Sequence, residues 1–418
     1  MKRKIIPTVI LSTLFLVSCT SVSANKLATI DTVKTDLYER YKTSIDNKLL
    51  TSYTSFGAKI STICSNYDDN SCVSPLSIYS ALSMLTGITN GNTRKEILDY
   101  LEIDYDTLST NYNKLYTLSN LYNSETNETI EVLNNSIWLQ QDKSFKMDGI
   151  NNVSNDFKTD LFSIDFNNKN TNKYINDYIK DKTNGLIDNE FNIPTDTVLS
   201  LINTLYLKDN WFYDSRDIQI TDSKIEFKNI NGTKKEDYFL KKYGNGKAYS
   251  NQYMTTFSAT TSNGYSVKFI LPKDNYNIKD IFTEYNIKEA LNANYYDYDT
   301  EKYEYTTILE FPMFSAKSNI NIKDYLIASG IKEAFSDSAD FSIISTNPLI
   351  CNDVFHVANI DVNRKGIKGA AATIITMGES ANYDERIKIT EELIIDKSFG
   401  YLITDRNGIL FSGIINNI

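Results

Sequence analysis

Residues 197–208 (Thr-Val-Leu-Ser-Leu-Ile-Asn-Thr-Leu-Tyr-Leu-Lys) form a near-continuous apolar run followed by Trp211. A run of this length and composition predicts a strand inside a sheet, since an edge strand would carry more polar positions. Residues 354–362 (Val-Phe-His-Val-Ala-Asn-Ile-Asp-Val) alternate and predict a second strand. Residues 388–395 and 399–415 also read as strands, the latter a pair broken at Asp405-Arg-Asn-Gly408. Residues 131–140 read as a further strand. The helical pattern is clearest after Asn70. Ser74 is placed as an N-cap with Pro75 at the first helical position. Leu76, Tyr79, Leu82 and Met84 or Leu85 then share a buried face, in a helix unusually rich in serine. Thr93 with Glu96 three residues on predicts a capping box for the next helix. Residues 174–179 are helical and end at Lys182-Thr-Asn-Gly185. Residues 20–50 are polar and read as a tether leading into a first helix that continues through 56–64.

One stretch fits neither pattern. Lys365-Gly-Ile-Lys-Gly-Ala-Ala-Ala-Thr-Ile-Ile-Thr-Met-Gly-Glu379 has few polar turn residues and little side-chain volume. It joins two predicted strands. Small side chains let a chain slide between neighbours that are already close. The alternatives from composition are a short Ala-rich helix or a linker.

His356-Val-Ala-Asn-Ile-Asp-Val, Gly366, the run of alanines, Phe399 and Leu410-Phe-Ser-Gly413 resemble the C-terminal third of the serpins. The run from Asn70 to Leu85 with Gly91-Asn-Thr-Arg-Lys-Glu-Ile97 resembles the N-terminal signature of that family. The Thr-Asn-Gly at 183–185, the Asn-x-x-Tyr-x-Lys-x-x-Trp from Asn203 to Trp211, and residues 319–335 are similar as well. The resemblance covers about residue 56 to the C-terminus. It implies an α+β fold, with several helices packed on three β-sheets and an exposed reactive-centre loop. Domain organisation follows: a signal peptide at 1–18, a lipidated N-terminus and tether at 19–50, and a single serpin domain at 51–418.

The resemblance also implies roles. Gly366, Ile367, Lys368, Gly369, Ala370, Ala371, Ala372 and Thr373 match the hinge of the reactive-centre loop. A target serine protease, or alternatively a cysteine protease, cleaves such a loop, and the hinge inserts into the main sheet before the acyl-enzyme is hydrolysed. Ser74, Ser77, Asn203 and His356 match a buried polar cluster beneath that sheet. Counting from Gly366 puts the scissile bond at Ser380-Ala381, with shifts to Tyr383 or Arg386 left open by a long following segment. Insertion requires alternate residues to face the core. One face is Ile367, Gly369, Ala371, Thr373 and Ile375, which carries no charge; the other holds Lys368. The family usually has Thr or Ser at the position of Ile367, and Glu at Arg364 and Lys368. Slow insertion would let the protease escape, so the alternative is a non-inhibitory serpin acting as a binding or decoy protein. The implied partner is a protease held covalently by a monomer, with no cofactor.

Composition narrows the classes. A formal charge of −10 disfavours nucleic-acid binding. His356 is the single histidine, which excludes HExxH and multi-His zinc sites. A Ser-His-Asp or Cys-His enzyme would have to use it, with Cys351 nearby in sequence. Lys2-Arg-Lys4 followed by apolar residues 5–17 is a targeting segment too short for a comfortable span. It ends Leu16-Val-Ser-Cys19, which resembles the bacterial lipoprotein box with Cys19 as the lipidated residue. An ordinary signal peptide cleaved near Ser21-Val-Ser-Ala24 is the alternative. Either way the expectation is export, with the lipid form held at a membrane surface. Cys64, Cys72 and Cys351 remain, an odd number, and Cys64 and Cys72 flank a short loop that a bridge could close.

Overall fold

The computed structural model describes residues 24–28, 34–185, 187, 192–211, 218–352, 354–367 and 386–418. Helices Asn47–Ser61, Pro75–Ile88, Gly91–Leu101 and Tyr105–Leu118 come first and pack together on the inner face of a large sheet. The helix Pro75–Ile88 lies deepest. Ser74 caps it by accepting from the Ser77 N–H, and Pro75 opens it, as the sequence predicts. Two of its hydroxyls are satisfied by its own backbone: Ser83 donates to the Tyr79 carbonyl and Thr86 to that of Ser83, both at 2.7 Å. This explains the serine density. A back-bonded hydroxyl keeps a small side chain where neighbours approach closely.

The capping box at Thr93 does not form. Helix Gly91–Leu101 starts two residues earlier, with Gly91 at φ 54°. The Thr93 hydroxyl instead donates to Glu333 and accepts from the Asp340 N–H. Glu96 accepts the backbone N–H groups of Lys332 and Glu333, both at 2.7 Å. A distant turn offers these side chains better partners than their own helix end.

The large sheet is built on Glu128–Gln140. Leu199–Leu207 pairs antiparallel along one edge, with Asn135 opposite Asn203. Asn120–Asn123 and Thr159–Ile164 share the other edge. The helix Thr171–Lys182 packs through Ile175, Ile179 and Tyr178 against Trp138, Phe162, Ile202 and Val357. The segment read as a tether also docks here: Asn25–Ala28 pairs with Thr159–Ile164, and Thr35–Asp36 with Asn120–Asn123. Its backbone satisfies strand edges that would otherwise face water.

Phe314–Asn321 and Phe355–Asn363 pair antiparallel as a further part of this layer. Behind it lies a five-stranded sheet of Tyr249–Ser250, Met254–Thr260, Ser266–Pro272, Phe399–Thr404 and Ile409–Ile415. Every residue of its last two strands is buried. A four-stranded sheet orders Ile387–Ile394, Tyr303–Pro312, Phe239–Asn245 and Ile218–Ile220. Cys64 and Cys72 are both buried and are not bridged.

Candidate functional site

The predicted interior strand Leu199–Leu207 has a ladder partner on one edge only, Glu128–Gln140. On its other side lies Phe355–Asn363, running in the same direction. Among the described residues no ladder joins the two. They are tied at one end. There Gly366–Ile367 forms a two-residue strand, paired with Val362 and Asn363 on one side and with Asp209 and Asn210 on the other. The Trp211 indole N–H donates to the Asn363 carbonyl at 2.8 Å, and its backbone N–H to that of Lys365. Away from this tie the strands part. Thr204 to Leu207 are buried, whereas Leu199 to Asn203 are half-buried and Phe355 is exposed.

Gly366 is required where it stands. A Cβ there would lie 2.1 Å from the Asp209 carbonyl oxygen, and φ is 142°, a region L side chains avoid. Ile367 next to it is fully buried, opposite Val362 and Asp209. This is the inward position that alternation assigns it.

The opening leads to a cavity whose lining includes Ser77, Leu82, Leu199, Leu201, Asn203 and His356. His356 Nε2 accepts the Ser74 N–H at 3.0 Å, and Ser74 Oγ accepts the Ser77 N–H. Accepting at Nε2 puts the proton on Nδ1. Burial pushes the imidazole pKa down to about 4, so the ring is neutral at physiological pH. The ring nitrogen thus faces a backbone amide and not a hydroxyl awaiting activation. Asn203 stands across the cavity and donates to Asn135 Oδ1. Asn135 Nδ2 donates to the Tyr112 hydroxyl and the Phe157 carbonyl, at 3.0 and 2.8 Å. That fixes the Asn135 amide, and through it Asn203, whose Oδ1 is left buried with no partner.

The structure therefore joins Ser74, Ser77 and His356 in one hydrogen-bonded group and sets Asn203 on the opposite wall. Lys368, Gly369, Ala370, Ala371, Ala372, Thr373, Ser380, Ala381 and Cys19 lie outside the described residues. Asn135 and Tyr112 were missed by sequence reasoning. The signal available was Asn134-Asn135-Ser136 interrupting an otherwise apolar strand.

A layered body of helices on sheets, with two strands of its large layer parted beside Gly366, defines the class as an α+β fold. The comparisons agree on which one. The family model described as Serpin (serine protease inhibitor) matches residues 51–418. The chain belongs to the serpin family. It is 27% identical to Iripin-1 of Ixodes ricinus, covering 89% of this chain and 95% of that protein. It is 27% identical to an uncharacterised serpin-like protein of Methanosarcina mazei, covering 82% and 80%. It is 25% identical to the alpha-1-antiproteinase of Rattus norvegicus, covering 72% of this chain and 73% of that protein. Among solved structures, the thermophilic serpin tengpin in its native state matches with a TM-score of 0.73 at 23% identity, over 95% of this chain and all of that one.

Proposed function

We propose that this chain is a suicide-substrate inhibitor of serine proteases. The observation that carries the reading is the seating of Gly366–Ile367 between Asp209–Asn210 and Val362–Asn363, at the head of a slot whose two walls share no ladder with each other among the described residues. The protease serine attacks the Ser380 carbonyl. The peptide bond to Ala381 breaks, the Ala381 amine leaves with a proton, and an ester joins Ser380 to the protease. The hinge then extends the strand begun at Gly366. Continued in the same register, it pairs Thr373 with Asn203 on one side and His356 on the other. Residues 367, 369, 371 and 373 face inward together. The Thr373 hydroxyl then reaches the Asn203 Oδ1 that has no partner in the intact chain. A serine at the cut suits an elastase-like or subtilisin-like pocket; a bond displaced to Tyr383 or Arg386 suits a chymotrypsin-like or trypsin-like one.

In the same reading residues 1–18 are removed, Cys19 carries the lipid anchor, and residues 51–418 act as a monomeric inhibitor domain at a membrane surface. Incubation with elastase, subtilisin, chymotrypsin and trypsin, followed by a denaturing gel, tests the trap. A covalent complex with at least one is expected. Cleavage by all four without a complex would favour a non-inhibitory binding protein. Intact mass of the mature chain tests the anchor: an unmodified N-terminus beyond residue 19 would remove it.

A further inference from the structure

Arg40 lies ahead of the matched family region, in the segment that the sequence reads as a polar tether, yet its side chain is only 2% exposed. Its Nη2 donates to Asp405 Oδ2 at 2.8 Å, and both members of the pair are buried. The guanidinium carbon sits 4.7 Å above the Tyr265 ring. The Tyr265 hydroxyl in turn donates to Glu131 at 2.6 Å. Burial raises the Glu131 pKa to about 8, so its carboxyl is largely neutral near pH 7 and Asp405 supplies the counter-charge.

The remaining contact of Arg40 points elsewhere. Its Nη1 donates to the Asn263 carbonyl at 3.4 Å. Asn263 lies in the turn between Met254–Thr260 and Ser266–Pro272, two strands of the five-stranded sheet. From that turn three donors converge on the Asp209 carboxylate: the Asn263 N–H at 3.0 Å, its Nδ2 at 2.6 Å and the Ser262 hydroxyl at 3.1 Å. The Ser262 N–H also holds the Asn210 carbonyl. Asp209 and Asn210 are the residues against which Ile367 and Gly366 pair. A partly buried line of hydrogen bonds therefore runs from Arg40 through one turn to the head of the slot.

We propose that Arg40 is a positioning residue for strand insertion: it braces the 261–265 turn, and through Asn263 and Asp209 it sets the wall that the hinge first meets. This rests on the inhibitory reading above. The charge and the fork geometry have separate jobs. One guanidinium serves the Asp405 carboxylate and the Asn263 carbonyl together, whereas a lysine ammonium is a point donor on a flexible stem and cannot hold that planar spacing. Removing the charge alone would strand Asp405 in the interior.

The test uses the full-length intact chain with Arg40→Lys, and the double variant Arg40→Met/Asp405→Asn, which removes both charges together. Hydrogen exchange is followed at 205–211 and 362–367, with 303–310 and 387–394 as a control sheet. About tenfold faster exchange is expected at the first two segments and none at the control. Unchanged exchange at the slot would overturn the proposal, as would an equal rise in the control sheet, which marks a merely structural residue. The second readout is partition with subtilisin: more chain cleaved per complex formed in Arg40→Lys, at an unchanged cleavage rate. An unchanged partition in a folded variant would overturn the role in insertion. Should wild type trap none of the four proteases, the inhibitory reading fails by itself, and the exchange result alone decides whether Arg40 sets the slot wall.

Discussion

Two strands of similar apolar character meet different fates in this molecule. Ile409–Ile415 is buried at every residue, enclosed by Phe399–Thr404 and the helices above it. Leu199–Leu207 is as apolar, yet its first five residues are only half-buried. The difference is not in the strands. Each has a ladder on one side only; the free edge of Ile409–Ile415 is covered by backbone hydrogen bonds from Ser71 and Val73, whereas that of Leu199–Leu207 faces an opening. Apolar surface and backbone groups left at an opening are free energy not yet realised. Under the proposed inhibitory reading, the comparison places the driving force for insertion in this one seam.

The largest test of that contrast is to fill the seam. Cutting the loop once should let a new strand form. A ladder of half a dozen or so pairs, each contributing about 1 kcal/mol, raises the melting temperature of a domain this size by about 5–10 °C. Calorimetry before and after limited proteolysis measures this, and an unchanged melting temperature would mean that no pairing is stored. The closed sheet predicts its own control: exchange at 409–415 should be equally slow in both forms.

A charge on the inward face blocks the filling. Ala371→Arg would bury a guanidinium on insertion, at a cost of several kcal/mol. The variant should be cleaved at the wild-type rate and form no covalent complex on a gel. An undiminished complex would remove insertion as the mechanism.

Loosening the tie at the seam's head comes next. Gly366→Ala puts a Cβ against the Asp209 carbonyl in a backbone region that only glycine tolerates. The expected loss is at least about 3 kcal/mol in the intact chain, read from denaturant midpoints. A midpoint within error of wild type would show that the two-residue strand is not held as described.

The smallest effect belongs to the floor. His356 titrates at about 4 when folded, below its ordinary 6.5. The folded chain therefore binds fewer protons than the unfolded one between those values. Stability is fully present above pH 6.5 and falls as pH drops through 6.5 towards 4, by about 2–3 kcal/mol. His356→Gln should flatten that limb of a urea-midpoint profile. A variant with the wild-type slope would place the acid sensitivity elsewhere.

Much of this was legible locally. Ser74 and Pro75 start a helix because cap and ring act within one turn. The turn at Asp405–Gly408 and the strands around it follow from alternation and a glycine. Gly366 marks a point where the chain passes close to other backbone, the Asp209 carbonyl. By itself the sequence determined the main strand and helix segments and which single histidine exists. Tertiary structure alone decided the rest. Thr93 and Glu96 spell a cap but serve a turn some 240 residues away. Arg40 reads as part of a solvated tether, and only Asp405, 365 residues later, makes its burial tolerable. Asn203 belongs with His356 by pattern, but the parted strands leave it bonded to Asn135 with one oxygen unmet. The physical reason is the same each time. Caps and periodicities are settled by neighbours along the chain, whereas a buried polar atom is settled by whichever distant group the packing brings within about 3 Å.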